Sequence, residues 1–207
     1  MCSSDLTSGQ PHGAISYEPW STSTNNSEYW AYGNQYDHLN PTNGEVGQAD
    51  WGYNAISNGG DQNQIWQTLT STEWKCVFLY RETDSGIRFA KARINDCNGV
   101  ILLPDDWNNA YYPLKKTDEP SANYTSNPIN LSDWYESLEA HGAVFLPASG
   151  YRTDTTMHDA NSRSFYWSSE TAYNHLSYAL DLRTNNLEPI STTNRSNGAA
   201  VRLVHFY

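Results

Sequence analysis

The residues able to do chemistry are scattered along this chain. The six histidines, His12, His38, His141, His158, His175 and His205, never fall at the spacing that sets two imidazoles on one helix face around zinc. Asp105-Asp106 with Asn108-Asn109 offers oxygen ligands of the kind calcium takes, as do Asp181 and Glu188. A calcium loop needs several carboxylates and carbonyls at fixed intervals, and none is visible, so the segment reads as a solvated loop. Glu136 and Glu139 lie three apart on a helix and form its exposed face. No glycine-rich phosphate loop precedes a helix, and no Gly-x-Ser-x-Gly elbow occurs. Sequons at Asn25, Asn123, Asn130 and Asn194 matter only in a glycosylating secretory pathway. The expectation is a protein without catalytic residues, metal or cofactor.

Composition narrows the class further. A net charge of −11 with no Lys/Arg run argues against a nucleic-acid backbone as partner. No stretch is apolar enough to cross a bilayer, so membrane insertion is not expected. Eight Trp and fifteen Tyr supply much of the apolar mass against two Met. Such residues bury large areas while keeping a polar handle, which suits a loop-rich domain with aromatic anchors. At 207 residues the chain is long enough for one domain with a real core. Three cysteines, Cys2, Cys76 and Cys97, make no disulfide framework; one bridge is permitted but unforced. Met1 followed by Cys-Ser-Ser-Asp reads as an arbitrary or truncated start with no signal peptide.

The elements are short. Residues 1–60 read as aromatic-anchored coil with short strands, broken by Pro11, Gly13, Pro19, Gly33, Pro41, Gly44 and Gly47. In TLTSTEWKCVFLYR, Thr70 and Glu73 form a capping box, and Trp74, Val77, Phe78 and Tyr80/Arg81 make an apolar stripe. A hairpin follows: IRFAKARI alternates as a half-exposed strand, GVILLP reads as a buried one, and Asn95-Asp96-Cys97-Asn98 turns between them. In NLSDWYESLEAHG, Asn130 or Ser132 caps, Leu131, Trp134 and Leu138 share a face, and Gly142 ends the helix. Four short strands, AVFLP, YALDL, LEPI and AVRLV, complete one α+β domain over residues 1–207.

From Asn161 to Tyr207 the chain has no Lys, Gln, Met or Cys, one Trp (Trp167) and two Glu (Glu170 and Glu188). Tyr, Ser and Asn suit recognition because Tyr gives rigid contact area at low entropy cost and the others adapt their hydrogen bonds. Ordinary turn composition is equally Asn/Ser/Thr-rich, so composition alone leaves both readings open.

The phrases WGYNAISNGG, WQTLTSTEW, SGIRFAKARINDCNGVILLPDDW, GAVFLPASGYR, YWSS and VRLV resemble the Fibrobacter-type major paralogous domain. More narrowly, they resemble the C-type-lectin-fold variable proteins of gut Bacteroidales and their phages, over about residues 12–204. The resemblance implies a C-type-lectin fold of the formylglycine-generating-enzyme subtype, serving binding. It also implies that a retroelement rewrites adenines late in the gene, turning Asn codons into most residue types but not Lys, Gln, Met, Trp or Glu. The residue types missing after position 161 agree with that rule. The implied frame is Tyr166, Trp167, Ser168, Ser169, Asn194, Arg195, Gly198, Val201 and Arg202. The implied ligand contacts, within residues 161–200, are Ser164, Tyr173, Asn174, His175, Ser177, Tyr178, Asp181, Arg183, Ser191, Thr192, Thr193, Ser196 and Ala199. Leu176 and Ile190 belong to either set.

The implied partner is a surface protein or glycan of a host or neighbouring cell, met from a cell surface or a virion tail tip. Two departures limit the carry-over. Glu188-Pro189 is followed by Ile190 and Trp107-Asn108-Asn109 precedes it, which does not match calcium-dependent sugar motifs, and no cysteine follows Cys97 to support oxidase chemistry. An amino-terminal strand normally pairs near the carboxyl-terminal one in this fold, so a shortened start predicts an unpaired edge on AVRLV. The alternative reading is an invariant structural or assembly domain of a surface or pilus system.

Overall fold

The computed structural model describes residues 66–153, 156–172, 176–194 and 197–205. The coil assigned to residues 1–60 lies outside them, as do Tyr173, Asn174, His175, Arg195 and Ser196. The described chain is mixed α+β, with two short helices and many short strands in small sheets.

Strand β1 (Trp66–Thr68) leads into helix α1 (Ser71–Lys75), which a π-helical turn extends over Cys76–Tyr80. The capping box forms: Thr70 Oγ1 accepts from the Glu73 amide, and Glu73 Oε2 accepts from the Thr70 amide at 2.7 Å. Trp74 and Phe78 are fully buried, but Tyr80 is 64% exposed and does not extend the stripe. The wider π turn shifts its side chains off helical register, which removes Tyr80 from the buried face.

Strands β2 (Phe89–Ile94) and β3 (Cys97–Leu102) form the expected hairpin. Its turn has two residues rather than four: Asn95 and Asp96 sit at φ +43° and +68°, the left-handed pair that matches strand twist. Strand β2 is not half-exposed, since Arg93 alone faces solvent. The hairpin lies inside a four-stranded sheet, β4 (Pro128–Ile129), β2, β3 and β5 (Val144–Pro147), covered on both faces. One face packs Ile94, Ile101 and Phe145 against Trp107 and, from helix α2 (Leu131–Asp133), the turn carrying Trp134 and Leu138. The other packs Phe89, Val100 and Leu146 against Trp74 and Phe78 of α1. Asn130 caps α2 through the Asp133 amide at 2.8 Å; a π turn (Trp134–Leu138) and a 3-10 turn (Glu139–His141) continue it, and Gly142 ends the run at φ +85°.

After the small hairpin β6 (Tyr151–Thr153) and β7 (Thr156–His158) comes a three-stranded antiparallel sheet in the order β10-β9-β8. Its strands are β8 (Arg163–Thr171), β9 (Leu176–Arg183) and β10 (Asn186–Asn194). Strand β11 (Leu203–His205), the end of AVRLV, runs antiparallel to β1, so one of its two edges is paired; the start of the chain, on which the expected unpaired edge depends, lies outside the described residues. Cys76 and Cys97 are both free thiols.

Candidate functional site

The β8–β9–β10 sheet carries most of the implied contact positions, and its register sorts them onto two faces. Arg163 pairs with Arg183, Phe165 with Asp181 and Trp167 with Ala179 across β8 and β9. Across β9 and β10, Ser191 pairs with Ala179, Thr192 with Tyr178 and Thr193 with Ser177. Ser177, Asp181, Arg183, Ser191 and Thr193 therefore share one face, while Ser164, Tyr178 and Thr192 share the other with Tyr166, Leu180 and Leu182. A register break between Glu188 and Ser191 throws Ile190 outward, 39% exposed, so the position left open joins the exposed set. Leu176 is half-buried.

The frame positions are enclosed. Tyr166, Trp167, Ser168 and Ser169 are all buried, and Tyr166 Oη donates to the Pro147 carbonyl at 2.7 Å. Trp74 Nε1 donates to the Trp167 carbonyl at 3.2 Å, tying α1 to the sheet. Glu170 supplies a further tie, since its carboxylate accepts from the Ser71 amide at the start of α1 at 2.7 Å. The carboxyl-terminal segment crosses β8: Trp167 N donates to Ala200 O and Ala200 N to Phe165 O. Gly198 exchanges backbone bonds with Arg152, where an added Cβ would lie 3.1 Å from the guanidinium. Ala199 and Val201 pack, half-buried, on Phe165 and Trp167, Arg202 is half-buried, and Asn194 is exposed.

Four implied contact positions are not presented to solvent. Asp181 is 1% exposed and takes Arg163 Nε and Nη2 at 2.9 and 2.7 Å, with Arg183 Nε and Nη2 at 3.0 and 2.6 Å. Burial raises this carboxyl, but the hydrogen bonds and charges of Arg163 and Arg183 outweigh it and hold the group below 3.8. The Asp181 hydrogen bonds in turn raise Arg183 against its own desolvation. Ser164 shares a 2.8 Å hydroxyl bond with Ser149, and Thr193 accepts from Asn197 Nδ2 at 2.8 Å. Ser177 Oγ is buried and has no hydrogen-bond partner among the described residues. At the surface remain Arg183, with a side chain 43% exposed, and the half-buried Tyr178, Ser191, Thr192 and Ala199.

Sequence reasoning missed Arg163 and Lys91. Arg163 chelates Asp181 and lies 4.3 Å from the Phe165 ring centroid. Lys91, in the middle of β2, is fully buried, and Nζ donates to the carbonyls of Arg183 (2.8 Å), Asn186 (3.0 Å) and Thr184 (3.4 Å). Burial pushes its ammonium down to about 8. Its only sequence signal is a cation amid apolar residues in FAKARI, which reads equally as the solvent side of a strand.

The calcium candidates are not assembled. Asp105 pairs with Arg81 at 3.0 Å, while Asp106, Asn108 and Asn109 are exposed. No group of three His, Cys, Asp or Glu side chains fit to hold a metal occurs among the described residues. No described helix is long and apolar enough to cross a membrane. Comparison of the chain with protein families, with curated proteins and with solved structures finds no match.

Proposed function

We propose that the chain is a non-catalytic ligand-binding domain of C-type-lectin fold, whose surface on β9 and β10 is diversified through adenine mutagenesis. Its partner is a surface protein or glycan of a host or neighbouring cell, and its place is a cell surface or virion tail tip. One observation carries this reading: a buried aromatic frame, Tyr166 and Trp167, backs strands β9 and β10, on which Arg183 and Ser191 of one face and Tyr178 and Thr192 of the other reach the surface as polar or aromatic side chains. Rigid anchors beneath adaptable hydrogen-bonding groups are what paratope-like surfaces use. Pairing of β1 with β11, two helices and a central hairpin agree with the proposed fold.

A test follows from the tyrosines. Replacing Tyr173 and Tyr178 together by Ala should abolish retention on arrays of glycans or cell-surface proteins that hold the parent, with the near-ultraviolet dichroism of its tryptophans unchanged. Retained affinity in the folded double variant would move the site elsewhere.

Burial of Ser164, Ser177, Asp181 and Thr193 favours a second reading, an invariant structural or assembly domain. That reading predicts identical residues at 161–200 across isolates.

A further inference from the structure

The two hairpins solve the same problem differently. Asn95 and Asp96 carry the positive φ angles that let a two-residue turn follow strand twist unaided. The β9–β10 connection is also two residues, Thr184-Asn185, with Arg183 opposite Asn186. Neither residue is among those with positive φ, so this turn lacks the backbone geometry that closes such hairpins well. Something outside the hairpin has to hold it. Thr184 Oγ1 donates to Ser162 O at 3.2 Å, and the other support comes from Lys91, whose ammonium finds three acceptors for its three N–H groups.

We propose that Lys91 is the positioning residue of the candidate surface: from a strand of another sheet, its buried side chain gathers three carbonyls of the β9–β10 turn and fixes where Arg183 and the Asp181 carboxylate stand. The functional meaning of this clamp rests on the binding reading, whereas its geometry does not. Tyr124, with its ring centroid 5.5 Å from Nζ, completes the ammonium's surroundings.

The ammonium form is the one that clamps, with three N–H groups for three carbonyls. Burial holds it down to about 8, below the usual 10.5, so any state that hydrates Lys91, an opened turn as much as the unfolded chain, binds more protons between about 8 and 10.5. Closure therefore gains from this group as pH rises, and the clamp is read at pH 7, where the ammonium is charged. Around it, burial and the nearby Asp181 raise the Tyr124 hydroxyl, Asp181 is lowered, and Arg183 is raised by its bonds to Asp181.

Hydrogen exchange on the full chain at pH 7 reads the clamp. Lys91→Met should lower protection at residues 183–187 by at least roughly tenfold relative to β2–β3. Full protection there in a folded Lys91→Met overturns the clamp. If Lys91→Met fails to fold, the same substitution in a Thr184→Asn, Asn185→Gly chain, whose turn closes unaided, should fold, and failure there also overturns it. A ligand screen without a binder leaves the exchange result standing, and an unchanged turn in a Lys91→Met chain that does bind removes the clamp while keeping the binding reading.

Discussion

The hairpins β2–β3 and β9–β10 differ in what encloses them. The first lies between two apolar layers, with Phe89 and Val100 on one side and Ile94 and Ile101 on the other. The second pairs an apolar face, Leu180, Leu182 and Leu187, with a face that buries Ser177, Asp181 and Thr193. Apolar burial is non-directional and graded in area, whereas a buried carboxylate is tolerated only with its partners in place. One hairpin is therefore insensitive to small changes of shape, and the other depends on particular atoms.

The largest effect should come from the carboxylate. Asp181→Ala is expected to cost about 3 kcal/mol in denaturant unfolding, because it strands two guanidiniums that the carboxylate organises; both retain partial solvent access, which holds the loss near the low end. The same group sets an acid limit. Its folded value is depressed, so its contribution is complete above the unfolded value near 3.8 and is lost as pH falls through the folded one. Stability of the parent should drop more steeply than that of Asp181→Asn between pH 5 and 2. Equal slopes would show that the triad is not formed.

In the apolar hairpin, Ile94→Val should cost about 1 kcal/mol through lost burial, with no pH dependence. Ser177→Ala should do the reverse in the polar one, raising stability by up to about 1 kcal/mol, because it deletes a buried hydroxyl that has no partner. The smallest change tests the turns. Thr184→Asn with Asn185→Gly gives β9–β10 a turn that closes unaided and should recover turn protection lost in Lys91→Met.

Local features were legible. Thr70 with Glu73 and Asn130 before Leu131 declare helix starts because their partners lie within three residues. The apolar run in β3 also lies where its composition puts it, with Val100 and Ile101 buried. Illegible were the pairings over long separations. Arg163 finds Asp181 across a strand pair, and Lys91 finds the β9–β10 turn from another sheet. Alternation in FAKARI suggested one solvated face because period two cannot tell a second packed layer from water. The resemblance implies that Asp181 and Ser177 are displayed, and nothing local corrects it: short polar side chains look alike in sequence whether they face a ligand or an arginine. Strand β8 was hidden because its register break between Trp167 and Thr171 interrupts alternation at Ser168-Ser169.

The central claim, a surface that varies on a frame that does not, is tested most directly by sequencing this gene across its source population. Changes are expected at codons whose side chains reach solvent, Tyr178, Arg183, Ser191, Thr192 and Ile190, confined to adenine positions late in the gene. Asp181, Ser164, Tyr166 and Trp167 should stay fixed. An invariant segment over 161–200, or substitutions spread evenly along the gene, would contradict it.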